Sequence, residues 1–215
     1  MGPLLMTGLA CFGAAVGIGL LAAGFSPPPG PPERVARYRL SARALLIILV
    51  AFVEGVAVVG IVVGLLAIEY GSVADPSDGL YAAIPALLGA LVGLWLVLTH
   101  IDTIQTEVAL ICAMFIAMLA VLSIVVALLA LFIVEPDADG SIGQRLTLAF
   151  MALGLISGGA ALAIGVTGGR AIAAMPDGDE PARRAYRAVV VRRSMPFQLT
   201  AIGASTIAIV LVIVA

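Results

Sequence analysis

The hydrophobic and polar positions of this chain fall into six long apolar blocks separated by short polar connections. The blocks cover about residues 3–25, 44–69, 80–99, 106–134, 145–168 and 196–215. Each is near or above the roughly 20 residues that cross hydrocarbon as a helix, with some allowance for tilt. None alternates apolar and polar positions as barrel strands do. In lipid every backbone amide and carbonyl needs a partner within the protein, so each block predicts a transmembrane helix. Composition agrees: 62% of residues are hydrophobic and the mean hydropathy is +1.20, against roughly 45–50% apolar residues in soluble domains. The expected fold is therefore all-α and integral to a membrane. The first block, MGPLLMTGLACFGAAVGIGLLAAGF, lacks a basic stretch at its start and reads as a retained span, not a cleaved signal.

Charge placement orients the spans. The connection after the first block carries Arg34, Arg37, Arg39 and Arg43, and the one after the fifth carries Arg170, Arg183, Arg184, Arg187, Arg192 and Arg193. The connections after the second and fourth blocks are acidic, with Glu69, Asp75, Asp78, Glu135, Asp137 and Asp139 and only Arg145 at their edge. By the positive-inside rule the arginine-rich connections are cytoplasmic. The short THIDTIQTE turn joins them on that side, and both termini face the non-cytoplasmic side. The chain then reads as three tandem helical hairpins of equal orientation, over residues 1–70, 71–140 and 141–215. The run Pro27-Pro28-Pro29-Gly30-Pro31-Pro32 predicts a stiff extended connector, and MPDGDEPARRAYRA predicts a short helical extension before the last span.

Glu54 carries the chemistry. It stands near the middle of LLIILVAFVEGVAVVGIVVGLLAI, Leu45 to Ile68, with no Arg at comparable depth in any block. A charge at the centre of a spanning helix costs about 2.5–3.5 kcal/mol for Asp, Lys or Arg on insertion scales. A residue that costly carries an ion, binds a polar ligand or meets a partner's charge; the competing reading is a structural hydrogen bond to Ser123, Ser157 or Ser205. His100 and Asp102 lie at a membrane end and read as interfacial, as do Trp95 and Tyr81. Cys11 and Cys112 sit inside apolar blocks and read as small packing residues. The eleven basic residues are all Arg, which suits a high-GC bacterial or archaeal genome. They form no basic stripe for nucleic acid. No nucleophile constellation, phosphate loop or metal-ligand spacing is present, so neither an enzymatic activity of the chain itself nor a cofactor is expected.

The odd-numbered blocks are rich in small residues: Gly8, Gly13, Gly17, Gly19 and Gly24 in the first, Gly89 and Gly93 in the third, Gly154, Gly158, Gly159, Gly165, Gly168 and Gly169 in the fifth. Glycines four residues apart let membrane helices approach closely. Alternation with bulkier even blocks suits a tight inner layer inside a wider outer one. A loose repeat runs through the even blocks: Glu54-Gly-Val-Ala57, Ala117-Met-Leu-Ala120 and Ser205-Thr-Ile-Ala208.

On these residues the chain resembles the proteolipid (c or K) subunit of rotary ATPases. ALGLISGGAALAIGVTGGRAIAAMPDGDEPARR looks like that family's glycine-rich first helix and polar loop, and PFQLTAIGASTIAIVLVIVA like its second helix, where an E-T-x-A-I-Y signature is usual. Here that carboxylate position holds Ser205, and Ala117 in the middle hairpin; the first hairpin keeps it as Glu54 in VEGVAVVGIVVGLL. The middle hairpin is supported by arrangement alone. The resemblance implies a homo-oligomeric ring in the lipid bilayer, a stator subunit that supplies an arginine, and soluble central-stalk subunits at the arginine-rich loops. It also implies that Glu54 is protonated, carried through lipid and deprotonated as the ring turns. Sodium-coupled relatives place a Gln on the inner helix and hydroxyls beside the carboxylate. Val53, Gly55, Val56 and Ala57 flank Glu54 here, and Thr7 is the first span's only hydroxyl, which favours protons. Two other classes stay open: a small secondary transporter or channel, and a membrane assembly or accessory protein related to proteolipids.

Overall fold

The computed structural model describes residues 1–25, 27, 30–71, 73, 75–101, 104, 106–134 and 146–214. Among them six helices are long and apolar enough to span a membrane: α1 (Gly2–Ala23), α2 (Pro32–Glu69), α3 (Leu80–Thr99), α4 (Thr106–Ile133), α5 (Thr147–Ala173) and α6 (Glu180–Val214). A short 3-10 turn, Pro76–Gly79, leads into α3. No strand occurs among the described residues. Pro28 and Pro29 of the proline run, Asp102, and the acidic connection with Glu135, Asp137, Asp139 and Arg145 lie outside the described residues.

Two helices begin well before their apolar blocks. α2 starts at Pro32 and not near 44, and α6 starts at Glu180, within the MPDGDEPARRAYRA stretch expected to extend the last span. The reason is local. PERVARYRLSAR and EPARRAYRAVVVRRSM are rich in Arg, Ala and Glu, all good helix formers. Proline is preorganised for a helix's first turn, and Glu33 and Glu180 stand in that turn, where a negative charge complements the helix dipole. With 38 residues, α2 rises about 57 Å, far more than the roughly 30 Å of hydrocarbon, so its arginine-bearing first turns stand clear of the lipid core. Pro196 lies inside α6 without ending it, and the Thr200 hydroxyl donates to the Pro196 carbonyl at 2.8 Å.

Helix α1 is the centre of the structure, with α3 and α5 on its two sides and α2 and α4 behind it. Its contacts with α5 advance together along both helices, from Met6 beside Gly154 through Leu9 beside Gly158 to Leu20 beside Gly169, so the two run parallel. The same holds for α3, where Gly8 meets Ala82, Phe12 meets Gly89 and Ala15 meets Gly93. Backbone contact leaves no room for side chains. A methyl group added at Gly165 would lie 2.6 Å from Gly17 Cα, and one at Gly19 would lie 2.7 Å from the Gly93 carbonyl oxygen.

A second layer is formed by α2, flanked by α4 and α6. It runs against α1, with Val53 beside Gly17, Gly60 against Ala10 and Gly64 against Thr7. The buried Thr7 hydroxyl fastens this contact by donating to the Gly60 carbonyl at 2.7 Å. Within the layer the helices run parallel: Arg43 pairs with Glu107 at 2.9 Å and Gly64 faces Val126, while Ser41 faces Glu180 and Gly55 faces Gln198.

Polar contacts collect at the two ends. At one end Arg34 and Arg183 share Asp177, at 2.6 and 3.8 Å, and Arg187 pairs with Glu180 at 2.8 Å. The Tyr38 hydroxyl donates to the Ile172 carbonyl at 3.0 Å. At the other end the amino group of Met1 pairs with Asp78. Cys11 and Cys112 are both free and buried in the apolar core.

Candidate functional site

Glu54 owes its position to the helical phase of α2. One face carries Val53, Ala57, Gly60 and Gly64, all buried, and packs on α1. The opposite face carries Ile47, Val58, Val62 and Leu65, between 39% and 50% exposed. At 100° per residue, Ile47, Val58 and Leu65 stand one or more whole turns from Glu54 on the same side. Glu54 is half-buried in that stripe, on the outer surface of the second layer. No hydrogen bond or ion pair to it occurs among the described residues. The ion pairs described above all lie toward the helix ends, so its surroundings are apolar side chains and, outside the protein, whatever bathes the α2 face.

The structure brings Gln198 close to this position. Its amide nitrogen lies 3.2 Å from where a Cβ of Gly55 would be, so glycine lets the amide approach without having to shift. Its amide oxygen is buried and has no hydrogen-bond partner among the described residues. Gln198 therefore offers an unused acceptor one residue from Glu54, on the α6 flank of α2.

Ser205 is not brought to Glu54. Because Gly55 faces Gln198 and the two helices run parallel, Ser205 lies seven residues further along α6 than Gln198, about 10 Å along the axis. It is buried, and its hydroxyl has no partner among the described residues. Ser123 and Ser157 are likewise buried, and none of the three donates to Glu54. Ala117 is exposed on α4, near the level of Glu54 as set by the Arg43–Glu107 and Gly64–Val126 contacts. The alanines three residues on, Ala57, Ala120 and Ala208, are all buried. Gly13 and Gly17 of α1 lie against Gly158 and Ala161 of α5, and Gly154 against Met6. Trp95 and Tyr81 are exposed on α3. No group of three or more His, Cys, Asp or Glu side chains able to hold a metal occurs among the described residues.

Comparison with known proteins gives no family model, no curated protein and no solved structure that matches this chain.

Proposed function

We propose that this chain is the proton-carrying rotor subunit of a rotary ATPase, a proteolipid of three tandem hairpins with one working carboxyl group, Glu54. One observation carries the reading. Glu54 stands half-exposed on the outward face of the second layer, in the middle of a spanning helix, with no hydrogen bond or ion pair among the described residues. A carboxyl group that crosses lipid has to be reachable from outside and free of any permanent countercharge. It then crosses neutral and gives up its proton only beside water or a partner's cation.

The packing supports the same reading. Parallel glycine-rich helices lie side by side, α3, α1 and α5, with α4, α2 and α6 behind them. Such a row has two open ends, and copies joined end to end would extend it into a closed ring of one hand. The stator subunit would supply the arginine, and the arginine-bearing ends of α2 and α6 would meet the central stalk. The residues flanking Glu54 (Val53, Gly55, Val56 and Ala57) bring no side-chain oxygen, and Gln198 on the α6 flank offers an unused acceptor. Since sodium requires several oxygen ligands, this supports proton over sodium. With one carboxyl group per three hairpins, fewer protons move per turn, and each can be driven against a larger potential, at about 2.3 kcal/mol per charge per 100 mV. That suits ATP-driven pumping.

Native mass spectrometry of the protein released from detergent tests the assembly. The expected result is a single discrete multiple of the 21.8 kDa chain mass. A monomer or dimer alone would instead favour a small transporter.

A further inference from the structure

We propose that the seam between α5 and α6 at the arginine-rich end is a binding site for an anionic phospholipid, held by Arg193. This goes beyond the rotor reading and does not rest on it. A cavity of about 250 Å³ opens there, lined by Thr167 and Ala171 of α5 and by Tyr186, Val190, Arg193 and Phe197 of α6, among others. That is below the roughly 300–1,000 Å³ of pockets for whole small molecules, a size that suits a head group with its tails left outside.

The lining is divided by polarity. Phe197, Val190 and Ala171 make an apolar wall, whereas Arg193 is exposed and has no ion-pair partner among the described residues. Neither do Arg192 beside it and Arg170, one turn from Thr167. The neighbouring arginines differ, since Arg183 and Arg187 are committed to Asp177 and Glu180. Arg193 thus stands uncommitted in the wall of one small cavity, a positive charge that an anionic phosphate ester complements.

Depth fits a lipid in particular. Arg193 is the last charged residue of α6, and Ser194 to Val214 after it are uncharged. The cavity therefore lies where the hydrocarbon begins. By the arginine rule this end faces the cytoplasmic leaflet, where anionic lipids concentrate and basic pockets between helices hold their head groups.

The test is native mass spectrometry of the full chain in detergent, titrated with phosphatidylglycerol or with phosphatidylcholine of the same chains. Phosphatidylglycerol is expected to bind selectively. Arg193→Gln should weaken it about tenfold, as for the loss of a charged hydrogen bond, and Arg193→Lys should restore part of it. Arg184→Gln, which removes an exposed arginine outside the cavity, should cost no more than the roughly fivefold of general surface charge. Equal losses in the Arg193→Gln and Arg184→Gln variants would overturn the site, as would equal binding of phosphatidylcholine. Displacement of the lipid by equimolar inorganic phosphate would show that a free anion suffices, and would overturn the lipid assignment. A lipid-free protein whose Arg193→Gln variant loses its oligomers would assign the cavity to a neighbouring copy instead.

Discussion

Replacing Glu54 by Gln is expected to abolish ATP-driven proton uptake in inverted membrane vesicles from the native host while leaving the assembled complex intact. Glutamine keeps the size and the neutral, hydrogen-bonding character of a protonated glutamate, but it cannot release a proton. Glu54 makes no hydrogen bond or ion pair among the described residues, so its replacement removes no contact that holds α2 to α1 or α6. Packing there rests on Val53, Gly60 and Gly64. Proton uptake at the leak rate of vesicles without ATP, with unchanged yield of complex, is the expected outcome. Normal uptake would end the proposed role of Glu54. Loss of the complex itself would move the assignment to an assembly or accessory protein in which Glu54 is a partner contact.

The second large effect concerns the centre of the fold. Gly158→Leu is expected to destabilise the protein at or beyond the upper end of the roughly 1–3 kcal/mol typical of overpacking. Its first side-chain carbon would lie 2.5 Å from the Leu9 carbonyl oxygen, with Gly13 behind it. Backbone atoms cannot rotate out of the way as a side chain can, so α1 and α5 would have to separate. The neighbouring position is the control. Nothing lies within 4 Å of a methyl group at Gly159, and Gly159→Ala should be neutral or stabilising, by up to the roughly 1 kcal/mol that separates the two residues in a helix. Thermal unfolding in detergent distinguishes them. Equal midpoints for the two variants would mean that the α1–α5 contact is not what holds the bundle together.

That contrast also marks how far the sequence could be read. Six spans and their helical state follow from block length and the need to satisfy the backbone in lipid. The role of the odd helices follows from their glycines, because small residues at four-residue spacing have few other uses in a membrane. The true start of α2 was harder to see. Hydropathy reports where lipid begins and not where a helix begins, and the arginine-rich stretches before both spans are helical outside the lipid. Gly158 and Gly159 are adjacent and chemically identical, and only the phase of α5 against α1 tells that one is packed and the other open.

At the candidate site, the cost of an acid in mid-membrane singles out Glu54 from sequence alone. Its neighbours depend on the relative register of α2 and α6, which no single-chain pattern encodes. Hence Gln198, toward one end of its own apolar block, comes to lie beside Gly55, while Ser205, which aligns with Glu54 by repeat, is displaced along α6. The cavity at Arg193 had one signal in the sequence: Arg193 is the last charge before a long uncharged run. The signal shows that the residue lies at the lipid boundary, but not that its neighbours Arg183 and Arg187 are paired while it is free of them.

The most direct test of the central claim is labelling of the purified protein with a hydrophobic carbodiimide across pH, read residue by residue by mass spectrometry, with and without sodium. Carbodiimides react with protonated carboxyl groups that they can reach through lipid or detergent. The account predicts modification at Glu54 that persists at neutral pH and is indifferent to sodium. Protection by sodium would contradict the proton assignment. Absence of modification at every pH would contradict the claim itself, because Glu54 would then be neither protonated nor open to the lipid.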